Sequence, residues 1–222
     1  MNKKIIVAID GPAGSGKSTV ARSVAERLGY TYIDTGAMYR AVALWALRSD
    51  IDLDDMHRLQ QLAPEARIEF PGGRVLLNGE DVTDAIRTPE VSSAASKVAI
   101  YPGVRKAMRA EQRRIGAAGS AVMEGRDIGT VVFPDAQVKV FLDARPEERA
   151  KRRAEELGEP VGEVARELNQ RDHQDRTRAE APLTQAPDAE YVDTTGLTIP
   201  QVEEVVLQLV RKRTTNGGAH PA

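Results

Sequence analysis

The feature that most restricts this chain is an eight-residue run, Gly11-Pro12-Ala13-Gly14-Ser15-Gly16-Lys17-Ser18, set between two differently patterned segments. It fits the spacing G-x-x-x-x-G-K-[ST]. Before it lies Ile5-Ile6-Val7-Ala8-Ile9, a continuous apolar run of the kind buried on both faces of a parallel sheet. After it, Val20, Val24 and Leu28 recur every four residues with Ala21 and Ala25 beside them, and Gly29 stands where a left-handed helix cap belongs. In that setting the glycines let backbone N–H groups turn inward around phosphate oxygens, and the helix adds its positive end. The bare pattern arises by accident in on the order of one in a hundred chains of this length, and the flanking strand and helix lower that further. The expectation is that Gly11, Pro12, Ala13, Gly14, Ser15, Gly16, Lys17, Ser18 and Thr19 cradle a nucleotide's phosphates. Lys17 can reach the β- and γ-phosphates, Ser18 offers a hydroxyl to Mg²⁺, and Thr19 adds a phosphate contact.

The rest of the chain alternates around this start. Tyr30 to Ile33 predicts a second strand, and Met38, Ala41, Val42 and Trp45 mark a second amphipathic helix. The rhythm then breaks. Asp54 caps a short helix, after which Arg67 to Phe70, Arg74 to Leu77 and Glu80 to Val82 read as brief strands, with Asn78-Gly79 a strong hairpin signal. This predicts a small antiparallel insert, about 63–100, within a core of about 1–62 and 101–213. Thr88-Pro89 opens one helix, and a further helix follows Pro102. Alternation resumes at Ala121 to Met123 and at Val138 to Leu142, each apolar run ending near an acid, Glu124 and Asp143. Two charged helices follow on either side of Gly158, then a short strand at Tyr191-Val192 and a terminal helix to about Arg213. The segment 214–222 reads as frayed.

Composition trims the possible functions. Over 222 residues, 31 Lys plus Arg face 33 Asp plus Glu, so the net charge is −2 and no sustained basic stripe offers a nucleic-acid surface. With no cysteine there is no disulfide framework and no thiolate nucleophile. Apolar stretches run only five or six residues, too short for a membrane span or a signal-peptide core. These features lead to the expectation of a soluble cytoplasmic protein, and the lack of a long amphipathic seam to that of a monomer. A GTPase switch would need an Asn-Lys-x-Asp string, which is missing; the one Asp-x-x-Gly, Asp193 to Gly196, comes too late in the chain. Phosphoryl transfer to a small acceptor remains, with a nucleotide-sensing adaptor as the alternative of another class.

Three further segments are candidates for the acceptor side. Asp34-Thr35-Gly36-Ala37-Met38-Tyr39-Arg40 begins where a strand meets a helix N-terminus; a plain helix cap and a phosphate clamp both fit it. Gly125-Arg126-Asp127-Ile128-Gly129-Thr130 follows a strand directly, at the carboxyl edge where open α/β sheets bind ligands. Arg171, Asp175 and Arg178 share one helical face, a spacing that suits a solvated charged surface as well as a ligand-facing row.

Taken together, the Gly11–Thr19 loop, Asp34–Arg40, Ile86-Arg87-Thr88-Pro89-Glu90-Val91, Gly125–Pro134, Phe141-Leu142-Asp143 and Ala181-Pro182-Leu183 resemble the bacterial cytidylate kinases. The resemblance runs from about Ile5 to Leu209. It implies an α/β fold: a doubly wound five-stranded parallel sheet with a P-loop, an inserted β-containing lobe for the nucleoside monophosphate, and a short lid within about 149–170. It also implies transfer of the ATP γ-phosphoryl group to CMP or dCMP, with Mg²⁺. Carried over by position, Ser96, Arg105 and Asp127 contact cytosine, Arg40 and Arg126 hold the acceptor phosphate, and Arg171, Asp175 and Arg178 form a sugar- and phosphate-side group. Thr35 stands where many relatives have Ser. Lys17, Arg40, Arg126 and Arg178 would carry the catalysis. Of the lid arginines Arg149, Arg152 and Arg153, at least one would close on the donor, Arg153 being counted with the ATP contacts.

Overall fold

The computed structural model describes residues 4–215; of the segment 214–222 expected to fray, Thr214 and Thr215 still belong to the last helix, and the rest lies outside the described residues. In chain order the elements are β1 (Ile6–Asp10), α1 (Lys17–Leu28), β2 (Thr31–Asp34), α2 (Thr35–Arg48), α3 (Met56–Leu62), β3 (Ile68–Glu69), β4 (Leu76–Leu77), β5 (Glu80–Asp81), α4 (Pro89–Val98) and α5 (Pro102–Gly116). They continue with β6 (Ala121–Gly125), β7 (Val138–Asp143), α6 (Pro146–Leu157), α7 (Val161–Thr177), β8 (Glu190–Asp193) and α8 (Ile199–Thr215). The α/β class and the five-stranded parallel sheet expected from the sequence are both present, in the order β2-β6-β1-β7-β8.

Two compact units divide the chain, one from 1–31 and 120–222, the other from Tyr32–Gly119. In the first, every residue of β1 is buried, and all five residues of β6 are as well. An unbroken apolar strand at the sheet centre must be covered on both faces, which is why Ile5 to Ile9 carries no alternation. The register pairs Asp10 of β1 with Gly125 of β6 and with Phe141 of β7, so the loops that follow β1 and β6 leave the sheet at one level. That alignment sets the loop after β6 beside the start of the phosphate-binding loop. A single π-helical turn, Ile128–Val132, follows there; it has no periodic signature in the sequence.

The second unit holds the small antiparallel sheet β3-β4-β5. Asn78 and Gly79 both take positive φ, 51° and 85°, as the tight turn between β4 and β5 requires. Its strands are two residues each, shorter than their sequence runs. Pro71–Gly73 forms a short 3₁₀ turn, and Arg74 donates its N–H back to Pro71 O, which holds the chain in a turn until Leu76. The cap of α3 falls on Asp55, whose carboxylate accepts from the Arg58 N–H at 3.0 Å, rather than on Asp54. Asp54 instead donates its own N–H to Asp52 in the preceding turn.

Candidate active site

The phosphate-binding loop is shaped by close approach as much as by its hydrogen bonds. Gly11 has φ 149°, and a Cβ there would sit 1.9 Å from the Leu142 carbonyl oxygen, so no other residue fits without moving β7. Gly14 has φ 74°, and a Cβ there would lie 2.9 Å from the Arg149 carbonyl oxygen. Lys17 opens α1 and is almost fully buried; its Nζ donates to Pro12 O and, at 3.4 Å, to Ser15 Oγ. Burial pulls this ammonium down to about 7, with Arg126 adding to the effect and Glu124 and Asp10 opposing it. An ammonium so poorly solvated is poised to gain from a dense anion.

Around Lys17 stand two carboxylates that close strands. Glu124, at the end of β6, accepts from Ser18 Oγ at 2.9 Å. Asp10, at the end of β1, accepts from the Ile128 N–H at 2.8 Å and the Gly129 N–H at 2.7 Å. Burial pushes Asp10 up to about 6, against the pull of those two backbone donors. Neither was among the residues singled out as site candidates in the sequence, although both carried a signal: a charged residue at the C-terminal end of an otherwise apolar strand. A hydroxyl beside a carboxylate is the kind of oxygen donor set that Mg²⁺ uses when phosphates and water complete its shell. Among the described residues no cluster of three or more His, Asp or Glu could hold a metal unaided.

Four of the expected acceptor residues meet in one chain of charges. Arg126 Nε donates to Asp175 Oδ2 at 2.8 Å, Asp175 Oδ1 lies 3.2 Å from Arg178 Nη1, and Arg178 Nη2 lies 3.5 Å from Asp127 Oδ1. Burial works against charge at both ends of the first pair, yet the attraction prevails. Arg126 is held above the usual guanidinium value and Asp175 below the usual carboxylate range, by Arg126 and Arg178 together, with Arg171 contributing more weakly. Asp127 is fixed by its neighbours, since the next two backbone N–H groups are those bound to Asp10.

In the second unit Asp34 does two jobs. Its Oδ1 caps α2 by accepting from the Ala37 N–H at 2.9 Å, and its Oδ2 holds Arg40 Nη2 at 2.8 Å. Gly36 leaves the room for this: a Cβ there would meet Arg40 Nη1 and Asp34 Oδ1, each at 3.1 Å. Thr35 is buried in the first turn of α2. Arg105, 3% exposed, lies over the Tyr39 ring with its guanidinium carbon 5.7 Å from the centroid, a placement that stabilises a buried cation. Ser96 Oγ donates to Ser92 O at 3.4 Å within α4.

The three arginines of α6 differ. Arg149 is buried and bonded to Ala13 O, Ala144 O and Asp172. Arg152 donates to Thr194 Oγ1 and O, and Thr194 Oγ1 in turn reaches Ser15 O at 3.3 Å. Arg153, expected at the donor, is half-buried and paired with Glu156 at 2.8 Å.

A central parallel strand, a glycine loop around a buried lysine and a helix beginning at that lysine define a P-loop α/β protein of the small-molecule kinase class. The comparisons narrow this. The family model described as cytidylate kinase matches residues 7–212. A cytidylate kinase of Solibacter usitatus is 61% identical over 97% of this chain and 96% of its own, and one of Syntrophotalea carbinolica is 49% identical over 96% and 94%. Among solved structures, a gluconokinase from Sinorhizobium meliloti shares the fold at TM-score 0.50 and 16% identity, over 98% of both chains. The chain belongs to the cytidylate kinase family.

Proposed function

We propose that this protein transfers the γ-phosphoryl group of MgATP to the 5′-phosphate of CMP or dCMP, giving ADP and CDP or dCDP, as a cytoplasmic monomer of pyrimidine nucleotide metabolism. The observation that carries the acceptor side is the chain Arg126–Asp175–Arg178–Asp127, in which Asp175 holds two guanidinium groups and Arg178 in turn stands beside the buried carboxylate of Asp127. A carboxylate can accept from the N4 amine of cytosine, whereas uracil offers an oxygen there and leaves the acid unpaired. Guanidinium groups suit a phosphate. The acceptor phosphate has its second pKa near 6, so its oxygen is already nucleophilic at neutral pH and needs no general base.

That oxygen attacks the γ-phosphorus, the bond to the β–γ bridging oxygen breaks, and the bridging electrons leave on ADP. Lys17 and the loop amides hold the donor, while Arg40, Arg126 and Arg178 neutralise charge on the phosphates. Ser18 and Glu124 would hold Mg²⁺, which shields the donor's β- and γ-oxygens when bound. Ser96, Arg105 and Asp127 read the base; Thr35, Arg171 and Asp175 line the sugar and phosphate. The segment 63–100 serves as the acceptor lobe and a stretch within 149–170 as the lid, with Arg153 on its donor side.

A coupled assay of ADP release tests the reading, with CMP, dCMP, UMP, AMP or no acceptor. CMP and dCMP should be phosphorylated at least about tenfold better than UMP, equivalent to about 1.4 kcal/mol in the transition state. Equal ADP release without any acceptor would make the protein an ATPase.

A further inference from the structure

The mechanism leaves one buried ion pair without a role. Arg149, at the start of α6, is 4% exposed, and its Nη1 is shared: it donates to Ala13 O in the donor loop at 3.0 Å and to Asp172 Oδ2 on α7 at 2.5 Å. Nε donates to Ala144 O at 3.1 Å, which fixes the plane of the guanidinium. Asp172 lies three residues before Asp175, the carboxylate that holds both Arg126 and Arg178. One helical turn of α7 therefore ends in the donor loop on one side and in the acceptor-side arginines on the other.

We propose that Arg149 and Asp172 are a positioning pair through which occupancy of the donor loop orders the acceptor-side cluster on α7, so that the two nucleotides bind synergistically. The proposal rests on the kinase reading above. Three observations carry it beyond a simple brace. The loop packs directly on these helices: Ala13 lies against the small cluster Ala150, Ala154, Val164 and Leu168, and Gly14 has no room for a Cβ against Arg149. A loop that shifts on taking up phosphates must therefore move Arg149 with it. Nη1 then transmits that shift, because its two N–H groups are both committed, one to Ala13 O and one to Asp172 Oδ2, so any change at Ala13 O turns the planar group and alters the geometry toward Asp172. Lastly, stability does not account for the pair. Asp172 is 7% exposed, and among the described residues no protein group donates to its Oδ1, so the burial of this charge is only partly compensated. A rigid fork is needed to serve three acceptors at fixed angles, which a lysine cannot do.

The test uses the full chain and a non-hydrolysable ATP analogue with Mg²⁺. In the wild-type protein the analogue should tighten CMP binding, read by calorimetry, by about 5- to 50-fold, within the usual range of coupling between sites. The analogue alone should slow hydrogen exchange of the amides of residues 171–178. Asp172→Asn, which keeps the shape and drops the charge, should reduce the tightening to less than about 2-fold while each nucleotide alone binds within about 3-fold of wild type. Arg149→Lys should likewise reduce the tightening to less than about 2-fold. The coupling is overturned if the folded variants keep the wild-type synergy, or if the wild type shows neither synergy nor slowed exchange. Should both variants fail to fold, the exchange measurement on the wild type decides. Failure of the kinase reading looks different, since the wild type would then leave CMP unphosphorylated in the coupled assay.

Discussion

The glycine loop and the charged cluster Arg126–Asp175–Arg178–Asp127 lie within one compact unit but are built by opposite means. The loop presents backbone: Gly11, Gly14 and Gly16 take positive φ, and a single buried lysine adds the charge. The cluster presents side chains from two distant stretches, Arg126 and Asp127 after β6 and Asp175 and Arg178 at the end of α7, balanced against one another. A backbone site depends on local spacing and survives most neighbouring changes. A side-chain site depends on every partner, so damage to one charge spreads to the rest.

The largest expected effect comes from the loop's one irreplaceable side chain. Lys17→Met should lower kcat by about 10²–10³, as loss of one strong charge-stabilising donor does. It should also raise the melting temperature of the nucleotide-free protein by about 2–4 °C, because removing a poorly solvated charge relieves on the order of 1 kcal/mol. The same cause gives a pH dependence. Lys17 titrates at about 7 in the fold and near 10.4 when unfolded, so between those values the unfolded chain binds the extra proton and stability rises with pH. Chemical denaturation of wild type and variant from pH 7 to 10 checks it. Parallel curves would mean that Lys17 is well solvated.

Next in size is a change of specificity. Asp127→Ala should cost CMP about 10- to 100-fold in kcat/KM and leave the KM for ATP within about twofold, since only the base loses its partner. An equal loss for both nucleotides would remove Asp127 from the base pocket.

Asp10 blurs the contrast, because it adjoins the donor loop in sequence yet holds the loop that carries Arg126 and Asp127. Asp10→Asn replaces one acceptor by a donor facing a backbone N–H. The expected result is a rise of about tenfold in the KM for CMP with little change for ATP, on the scale of about 1.4 kcal/mol. Its pH effect has the opposite sign to that of Lys17. The folded carboxyl titrates at about 6 against about 3.9 unfolded, so the folded state binds more protons in that window and stability falls as pH rises through it. The variant should flatten that slope. A steeper rise for ATP than for CMP would assign Asp10 to the donor loop instead.

These differences explain what could be read from the sequence. The five parallel strands, the helix cap at Gly29 and the Asn78-Gly79 turn depend on local pattern, and each is found within a residue or two of its expected place. The donor loop was legible for the same reason. The π-turn at Ile128–Val132 was not, because it is imposed by Asp10 drawing two successive N–H groups across from another strand. Nor does periodicity separate Arg149 from Arg153, four residues apart on one helix. The first is buried and bonded to Ala13 O of the glycine loop, and the second is half-buried and paired with Glu156.

That last difference yields the smallest effect and the sharpest comparison within α6. Among the described residues Arg153 pairs with Glu156, the two side chains being 36% and 61% exposed. An exposed pair of this kind is worth about 0–1 kcal/mol, so it opens readily and a phosphate can replace the carboxylate. Arg153→Ala should therefore leave the denaturation midpoint unchanged while raising the KM for ATP by about three- to fivefold, the loss of one screened charge contact. Salt distinguishes this contact from a buried one: between low and moderate ionic strength the gap in KM between wild type and variant should close. A gap that persists at high salt would place Arg153 in a desolvated contact with the donor, and no gap at any salt would make it a solvated surface charge.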